Sequence, residues 1–487
     1  MTLSPRLLWQ LLLAIIAVRL ISLGLYPLMD TTEARYGEMA RLMVDTGNWL
    51  TPQFDYNVWF WGKPPLHTWA SALGITIFGD NEFAVRFPHW LAGIATLALT
   101  FYVASKQGIN AMLTAVMLAS TAIFMIASGA VMTDMLLTLG MTLAMVGFYL
   151  GWQGQYKWGY LAFVGLAIGL LAKGPLIIVL MGIAVFPWMV IQHGVIGAFV
   201  ELWKRFPLIS GTALMALIAV PWYLIAEQAT PGFIEYFIVG EHYLRFVVSG
   251  WEGDLYGSAH SEAKGKIWLF WLYSALPWSA ALPILFYKRK AQLQQNMPAG
   301  WLSFLIWWMI SPLILFTFAG NILPAYVLPG IPALALLCAS LTKDSGQKWV
   351  IPTALITPVL ITIALLVLNN GRADEKSDKF FFEDVNIDNT EVFYWGKRPF
   401  SGQYYTKGKA IELHEQGKVP ENLAKNNEVF GAPIHYVTEL EQQTKDYILF
   451  VGSWGFDEVI TKLPHQCDEL KRNGDRVMFM CHPNSVK

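Results

Sequence analysis

Residues 29–65 gather Asp30, Glu33, Arg35, Glu38, Arg41, Asp45, Asp55 and Lys63 into one short polar stretch between two apolar segments. Only 14% of the chain is charged, so this cluster stands apart from its surroundings. Carboxylates beside guanidinium and ammonium groups suit the transfer of a group carried on phosphate. The cations would neutralise the phosphate, and a carboxylate would take the proton of an acceptor hydroxyl. Asp30 and Glu33 are the candidate bases. They also have the spacing of a helix capping box, and the two roles are compatible. Tyr36, Met39, Ala40, Met43 and Val44 follow at helical spacing, which predicts an amphipathic helix over 33–46 lying on a membrane surface.

Lys63, in Phe60-Trp61-Gly62-Lys63-Pro64-Pro65, is held on an extended turn by the prolines that follow it. Its rival role is snorkelling to lipid headgroups. The apolar run 66–78 comes next and is too short to span a bilayer. Asp134 lies at the mouth of an apolar segment, where a charge signals function or caps a helix. Lys173-Gly174-Pro175 offers either a second phosphate contact or an interfacial cation at a turn. Glu241 and His242 would hold a divalent cation together with a first-loop carboxylate, against the commoner role of a hydrogen-bonded surface histidine. Arg245 lies one helical turn beyond Glu241. Tyr326, after Asn321-Ile322-Leu323-Pro324, would face the same cavity or sit in an aromatic belt.

The elements that must position these groups are membrane-spanning helices. The chain has 487 residues, 55% of them hydrophobic, and a mean hydropathy of +0.43. Repeated apolar runs of spanning length predict an all-α polytopic domain of about eleven transmembrane helices. They lie near 7–28, 84–104, 109–129, 132–152, 157–173, 175–192, 208–226, 266–287, 300–319, 322–341 and 349–369. The net charge of −1 gives no electrostatic case for a nucleic-acid partner. Arg6, Lys106, Lys157, Lys204 with Arg205, Lys288-Arg289-Lys290, and Lys343 with Lys348 fall on alternate connections. The positive-inside rule then makes the N-terminus cytoplasmic. The 29–83 loop, Asp134, Lys173, the 227–265 loop and Asn321 all share the opposite face.

Composition changes after Asn370. Residues 1–370 read as the membrane domain, with 29–83 as its catalytic loop. Residues 371–487 read as a small soluble α/β domain on the outer face. Its strand-like runs are 392–395, 447–451 and 476–480; its helix-like runs are 409–416 and 460–473. Cys338 lies in an apolar run and reads as inert packing. Cys467 and Cys481 would pair in an oxidising compartment.

Glu33-Ala34-Arg35-Tyr36, the aromatic-Gly-Lys63-Pro run, Lys173-Gly174, Glu241-His242-x-x-Arg245-Phe246 and Leu323-Pro324-x-Tyr326 occur in that order. Over roughly residues 7–340 the chain resembles the GT-C membrane glycosyltransferases of the protein-mannosyltransferase superfamily. It is most similar to the bacterial branch that transfers aminoarabinose to lipid A. The resemblance implies a multi-pass protein of the bacterial inner membrane with its active site and soluble domain in the periplasm. It implies an inverting enzyme that moves a sugar from a polyprenyl-phosphate donor to lipid A or another surface glycolipid. Arg35, Tyr36, Lys63, Asp134, Lys173, Glu241, Arg245 and Tyr326 would contact substrate. The family places an Asp-Glu pair before x-Arg-Tyr. Here Thr32 and Glu33 fill those places and Asp30 lies two residues earlier, so the base is Asp30 or Glu33. In the aminoarabinose branch an acid precedes the lysine of the Lys-Pro motif and helps hold a metal. Gly62 stands there in this chain, and the expectation of a divalent metal rests on His242. Two other readings are a protein O-mannosyltransferase, which needs a polypeptide acceptor, and a lipid-linked sugar flippase, which would show polar residues through the bilayer midplane.

Overall fold

The structure, a computed structural model, describes residues 4–248, 251–257, 261–289, 300–342, 347–452, 459 and 461–483. Lys290 and Lys343, used above to orient the chain, lie outside the described residues.

Backbone polar groups in lipid have no water to bond, so the apolar segments satisfy them internally as helices. Among the described residues, seven helices are long and apolar enough to cross a membrane: Pro5–Ser22, Glu82–Lys106, Thr133–Trp152, Leu176–Arg205, Leu208–Ala229, Pro324–Leu341 and Val350–Val367. The pair Lys266–Ser274 and Trp278–Lys288, bent by 91°, makes an eighth if counted as one. The protein is therefore a multi-pass membrane protein with a C-terminal sheet domain.

The remaining expected spans are helical but depart from ideal spans for local reasons. The 109–129 run breaks into Ala111–Ala119 and Ala122–Ala127. At the break, the hydroxyls of Ser120 and Thr121 bond back to the carbonyls of Val116 and Met117, a use of Ser and Thr that competes with the helix ladder. Trp301–Phe316 has 16 residues. Tyr156–Lys173 packs on Thr133–Trp152 through glycines. A Cβ on Gly165 would lie 2.5 Å from the Ala144 nitrogen, and one on Gly147 2.6 Å from the Ala162 nitrogen. Small residues let the two backbones approach this closely. The contact fixes the start of one helix beside the end of the other, which brings Asp134 to Lys173.

In the first loop, the helix Thr32–Thr46 starts after Thr31, whose side chain makes no capping bond, so Asp30 is not its cap. Gly47, at φ 68°, ends it in the left-handed conformation that glycine adopts without steric cost. A short hairpin, β1 (Gln53–Asp55) and β2 (Val58–Trp59), then leads to the helix Leu66–Phe78.

The C-terminal sheet comprises β3 (Glu391–Trp395), β4 (Ala410–His414), β5 (His435–Tyr436), β6 (Tyr447–Gly452), β7 (Gln466–Asn473) and β8 (Arg476–His482). Its order is β5-β4-β3-β6-β8-β7. The first four are parallel, and β8 and β7 run antiparallel. The runs 409–416 and 460–473, expected as helices, contain strands β4 and β7 instead. Both are recruited by pairing with β3 and β8, so tertiary context overrides local propensity. Cys467 and Cys481 sit opposite each other on β7 and β8 and form a disulfide. Cys338 is buried and free.

The helix Phe400–Tyr405, which follows β3, docks this domain on the first loop. The Ser401 N–H and hydroxyl both donate to Asp30. Arg398 and Gln403 donate to Asp55. Tyr404 donates to Asp80 at 2.6 Å, and Tyr405 to Glu82 at 2.9 Å.

Replacing both Cys467 and Cys481 by serine is expected to cost the sheet domain about 2–3 kcal/mol, by freeing a short loop in its unfolded state. Protease resistance of the full chain under non-reducing conditions reads this out. Equal resistance of variant and parent would refute it.

Candidate active site

A cavity of about 450 Å³ opens where the first loop meets the helix ends. The start of helix Thr32–Thr46 contributes Thr32, Arg35 and Tyr36, and the Phe60–Lys63 turn contributes Lys63. Asp134 and Lys173 come from the adjoining ends of their two helices. Glu241 and His242 lie on the π-helical segment Glu235–Leu244, with Arg245 directly after it. Tyr326 sits on the 3-10 turn Pro324–Gly330. The cavity thus brings together Arg35, Tyr36, Lys63, Asp134, Lys173, Glu241, His242, Arg245 and Tyr326.

Its walls are held by ion pairs. Glu241 accepts from Lys63 Nζ at 2.7 Å and from Arg245 Nη1 at 2.6 Å. Arg245 also reaches Asp254 at 3.3 Å. Burial would raise the Glu241 carboxyl, but Lys63 and Arg245 outweigh it and hold it below the usual glutamate value. Lys173 Nζ lies 2.6 Å from Asp134 and 4.0 Å from the centre of the Tyr326 ring, a geometry that adds cation–π attraction. Tyr36 packs edge-on against His67 at 4.6 Å.

Two cations differ from the rest. Arg35 lies 5.0 Å from the Tyr36 ring centre and 6.0 Å from that of Phe400. Its Nε is buried without a hydrogen-bond partner. Lys397, from the turn after β3, also lines the cavity. Neither has a carboxylate partner among the described residues. Guanidinium and ammonium groups without counterions in a cavity suit a bound phosphate.

Asp30 and Glu33, the candidate bases, do not line this cavity. Asp30 serves Ser401, and burial, opposed by those bonds, leaves its carboxyl above the usual aspartate value. Glu33 forms a fork with buried Arg86 at 2.8 and 2.7 Å. Arg86 also donates to the carbonyls of Leu23, Tyr26 and Pro27, which fixes the entry to the loop. The carboxylates that do line the cavity are Asp134, Glu241 and Asp254, each paired with a cation.

His242 was the expected metal ligand. Its Nδ1 lies 2.8 Å from the Phe237 carbonyl and its Nε2 3.3 Å from that of Lys173. Burial keeps its imidazole below the usual histidine value. Both Glu241 oxygens face cations. Among the described residues, no three His, Cys, Asp or Glu side chains converge. In this arrangement His242 and Glu241 do not present a free donor set for a divalent cation.

Asp254, Tyr256, Arg86 and Lys397 were not singled out from the sequence. Lys397 had a signal: Trp395-Gly396-Lys397 repeats Trp61-Gly62-Lys63, and both lysines face the cavity.

Residues 6–237 match the model of the dolichyl-phosphate-mannose-protein mannosyltransferase family. That match covers a little under half of the chain. It is 31% identical over 338 residues to an undecaprenyl phosphate-alpha-4-amino-4-deoxy-L-arabinose arabinosyl transferase of Edwardsiella ictaluri, covering 66% of this chain and 57% of that protein. To the protein of the same name from Erwinia tasmaniensis it is 32% identical over 368 residues, covering 72% and 62%. The chain therefore spans about three fifths of the length of these relatives. The fold is similar to the crystal structure of ArnT from Cupriavidus metallidurans bound to undecaprenyl phosphate. The TM-score is 0.79 at 17% identity, with 98% of each chain covered. The apo form of that protein gives a TM-score of 0.76 over the same coverage.

Glu241→Gln leaves Lys63 and Arg245 without their shared counterion. It is expected to cost about 3 kcal/mol, read as a lower melting temperature in detergent. Because the folded carboxyl is held below its unfolded value, the Glu241 contribution is full above about pH 4.5. It is lost as pH falls through the folded value. The melting-temperature gap between parent and variant should stay constant from about pH 6 to 8 and shrink in acid. A gap that widens in acid would reverse the sign of the assignment.

Proposed function

We propose that the protein is an integral-membrane glycosyltransferase that moves a sugar from a polyprenyl-phosphate donor to a cell-envelope glycolipid, with lipid A the acceptor favoured. The observation that carries this reading is the cation excess of the cavity. Among the described residues, Arg35 and Lys397 lack carboxylate partners while Asp134, Glu241 and Asp254 are all paired. The names of the relatives, arabinosyl transferases acting on an undecaprenyl-phosphate sugar, support the donor class. The lysine and arginine pattern and the Cys467–Cys481 disulfide support an inner-membrane location with loop 29–83 and the soluble domain 371–487 in the periplasm.

In the proposed step, an acceptor oxygen attacks the anomeric carbon of the donor sugar from the face opposite the phosphate. The bond from that carbon to the phosphate oxygen breaks. The electron pair leaves with the polyprenyl phosphate, and the configuration inverts. Arg35, Lys63 and Arg245 stabilise the charge that gathers on the departing phosphate, an electrostatic contribution of the kind that dominates many active sites. Tyr36, Lys173 and Tyr326 border the donor head. An acceptor phosphate is already anionic and needs no base, which fits a cavity whose carboxylates are all engaged. A polypeptide hydroxyl would need one, so the protein O-mannosyltransferase reading is less well supported. A flippase would need a polar path through the bilayer, whereas these charges gather at one set of helix ends.

Lys63→Ala is expected to lower transfer by about 10²–10³-fold while the protein still folds, as judged by its melting transition. Mass spectrometry of lipid A, surface glycans and periplasmic proteins from cells with and without the protein should show a sugar-sized difference on lipid A. A fully active Lys63→Ala variant would sink the assignment. A mass difference confined to proteins would favour the O-mannosyltransferase.

A further inference from the structure

A second cavity, of about 700 Å³, adjoins the first. Its floor is the β1–β2 hairpin of the first loop, one side is the 251–257 segment, and its roof is the soluble domain. Asp254, Tyr256, Gly257, Lys397 and Phe400 line both cavities. A ligand seated in the second can therefore present one end to the first. The volume is that of a site for a small ligand rather than of a packing defect.

The lining has two chemical components. Phe54, Tyr56, Trp251 and Phe400 supply aromatic surface. Asn426 lines the pocket too; it is only 2% exposed, and its side-chain oxygen is buried without a hydrogen-bond partner. A buried polar atom left unpaired destabilises the fold, and such atoms in native proteins call for a specific explanation. A ligand hydroxyl or amide N–H would satisfy this one. Several other polar groups of the pocket are already committed. Arg398 and Gln403 bind Asp55, and Lys425 binds Glu421. Lys397 is a cation without a carboxylate partner among the described residues, placed where the two cavities meet.

We infer that the second cavity binds the glycan portion of the acceptor, and that this glycan carries a phosphate held by Lys397 at the junction. Aromatic faces with a buried amide oxygen suit a hydroxyl-rich sugar ring. The lone ammonium group suits an anionic substituent on it. The soluble domain is then half of the acceptor site rather than an appendage. The inference rests on the transferase reading for the word acceptor, but binding alone tests it.

The test uses the full chain in detergent and two probes, the de-acylated phosphorylated headgroup of lipid A and undecaprenyl phosphate. The headgroup should bind the parent protein. Asn426→Leu should weaken it about tenfold, as expected for the loss of one hydrogen bond to a buried polar group, and leave undecaprenyl phosphate binding unchanged. A purely structural role for Asn426 makes a different prediction. Replacing an unpaired buried oxygen by a hydrocarbon of similar size would keep or raise the melting temperature and leave headgroup affinity alone. Lys397→Gln should weaken the phosphorylated headgroup and have little effect on the same glycan without phosphate. Headgroup binding that is absent in the parent, or unchanged in both variants, overturns the inference. Headgroup binding that follows this pattern while undecaprenyl phosphate fails to bind upholds the pocket and overturns the donor assignment instead.

Discussion

The cavity depends on one buried carboxylate. Glu241 receives Lys63 from the first loop and Arg245 from one turn further along its own segment. Taking these charges out of water is costly, and only short, well-aligned contacts offset it. Without Glu241, two cations from separate parts of the chain would face each other across a low-dielectric gap. Asp134 and Lys173 repeat the device between two helix ends, where glycine packing leaves almost no space between backbones. Pairing also sets the electrostatic character of the site. Each carboxylate in the wall cancels a cation. What remains is a local positive excess at Arg35 and Lys397, within a chain whose net charge is −1.

The acids of the first loop have a different task. Asp30, Asp55, Asp80 and Glu82 all accept bonds from the helix Phe400–Tyr405 or the turn before it. Glu33 is held by Arg86. Of the charge cluster that marks residues 29–65, Asp30 and Asp55 dock the sheet domain, while Glu38, Arg41 and Asp45 pair with one another. Two of its three cations, Arg35 and Lys63, line the cavity. On the first turn of its helix, Glu33 and Arg35 lie two residues apart and face different neighbours, Arg86 and the cavity.

This division explains what could be read from the sequence. Helical spans are legible because lipid forces each apolar run to satisfy its own backbone. The cavity residues are legible because a charge beside an apolar run is rare. The roles of Asp30 and Glu33 were not, since their partners Ser401 and Arg86 lie 371 and 53 residues away. No local pattern encodes such a pairing. The strand β4 was hidden for the same reason: its conformation is set by β3 beside it, not by its own composition. The repeat of Trp-Gly-Lys at 61–63 and 395–397 was visible, but only the fold shows that both lysines reach one cavity.

That repeat also shows how the two domains divide the work. Lys63 is neutralised by Glu241 and fixed in place by it, so it belongs to the scaffold as much as to the site. Lys397 has no such counterion among the described residues and arrives on a separate domain. Its position is set by the bonds that Arg398 and Ser401, its near neighbours, make to Asp55 and Asp30. Preorganised charge acts most strongly where no reorganisation is needed at the moment of reaction. For Lys397 that preorganisation comes from the acids of the first loop. Asp30 and Asp55 thereby influence the cavity without touching it, by holding the domain that delivers its uncompensated lysine.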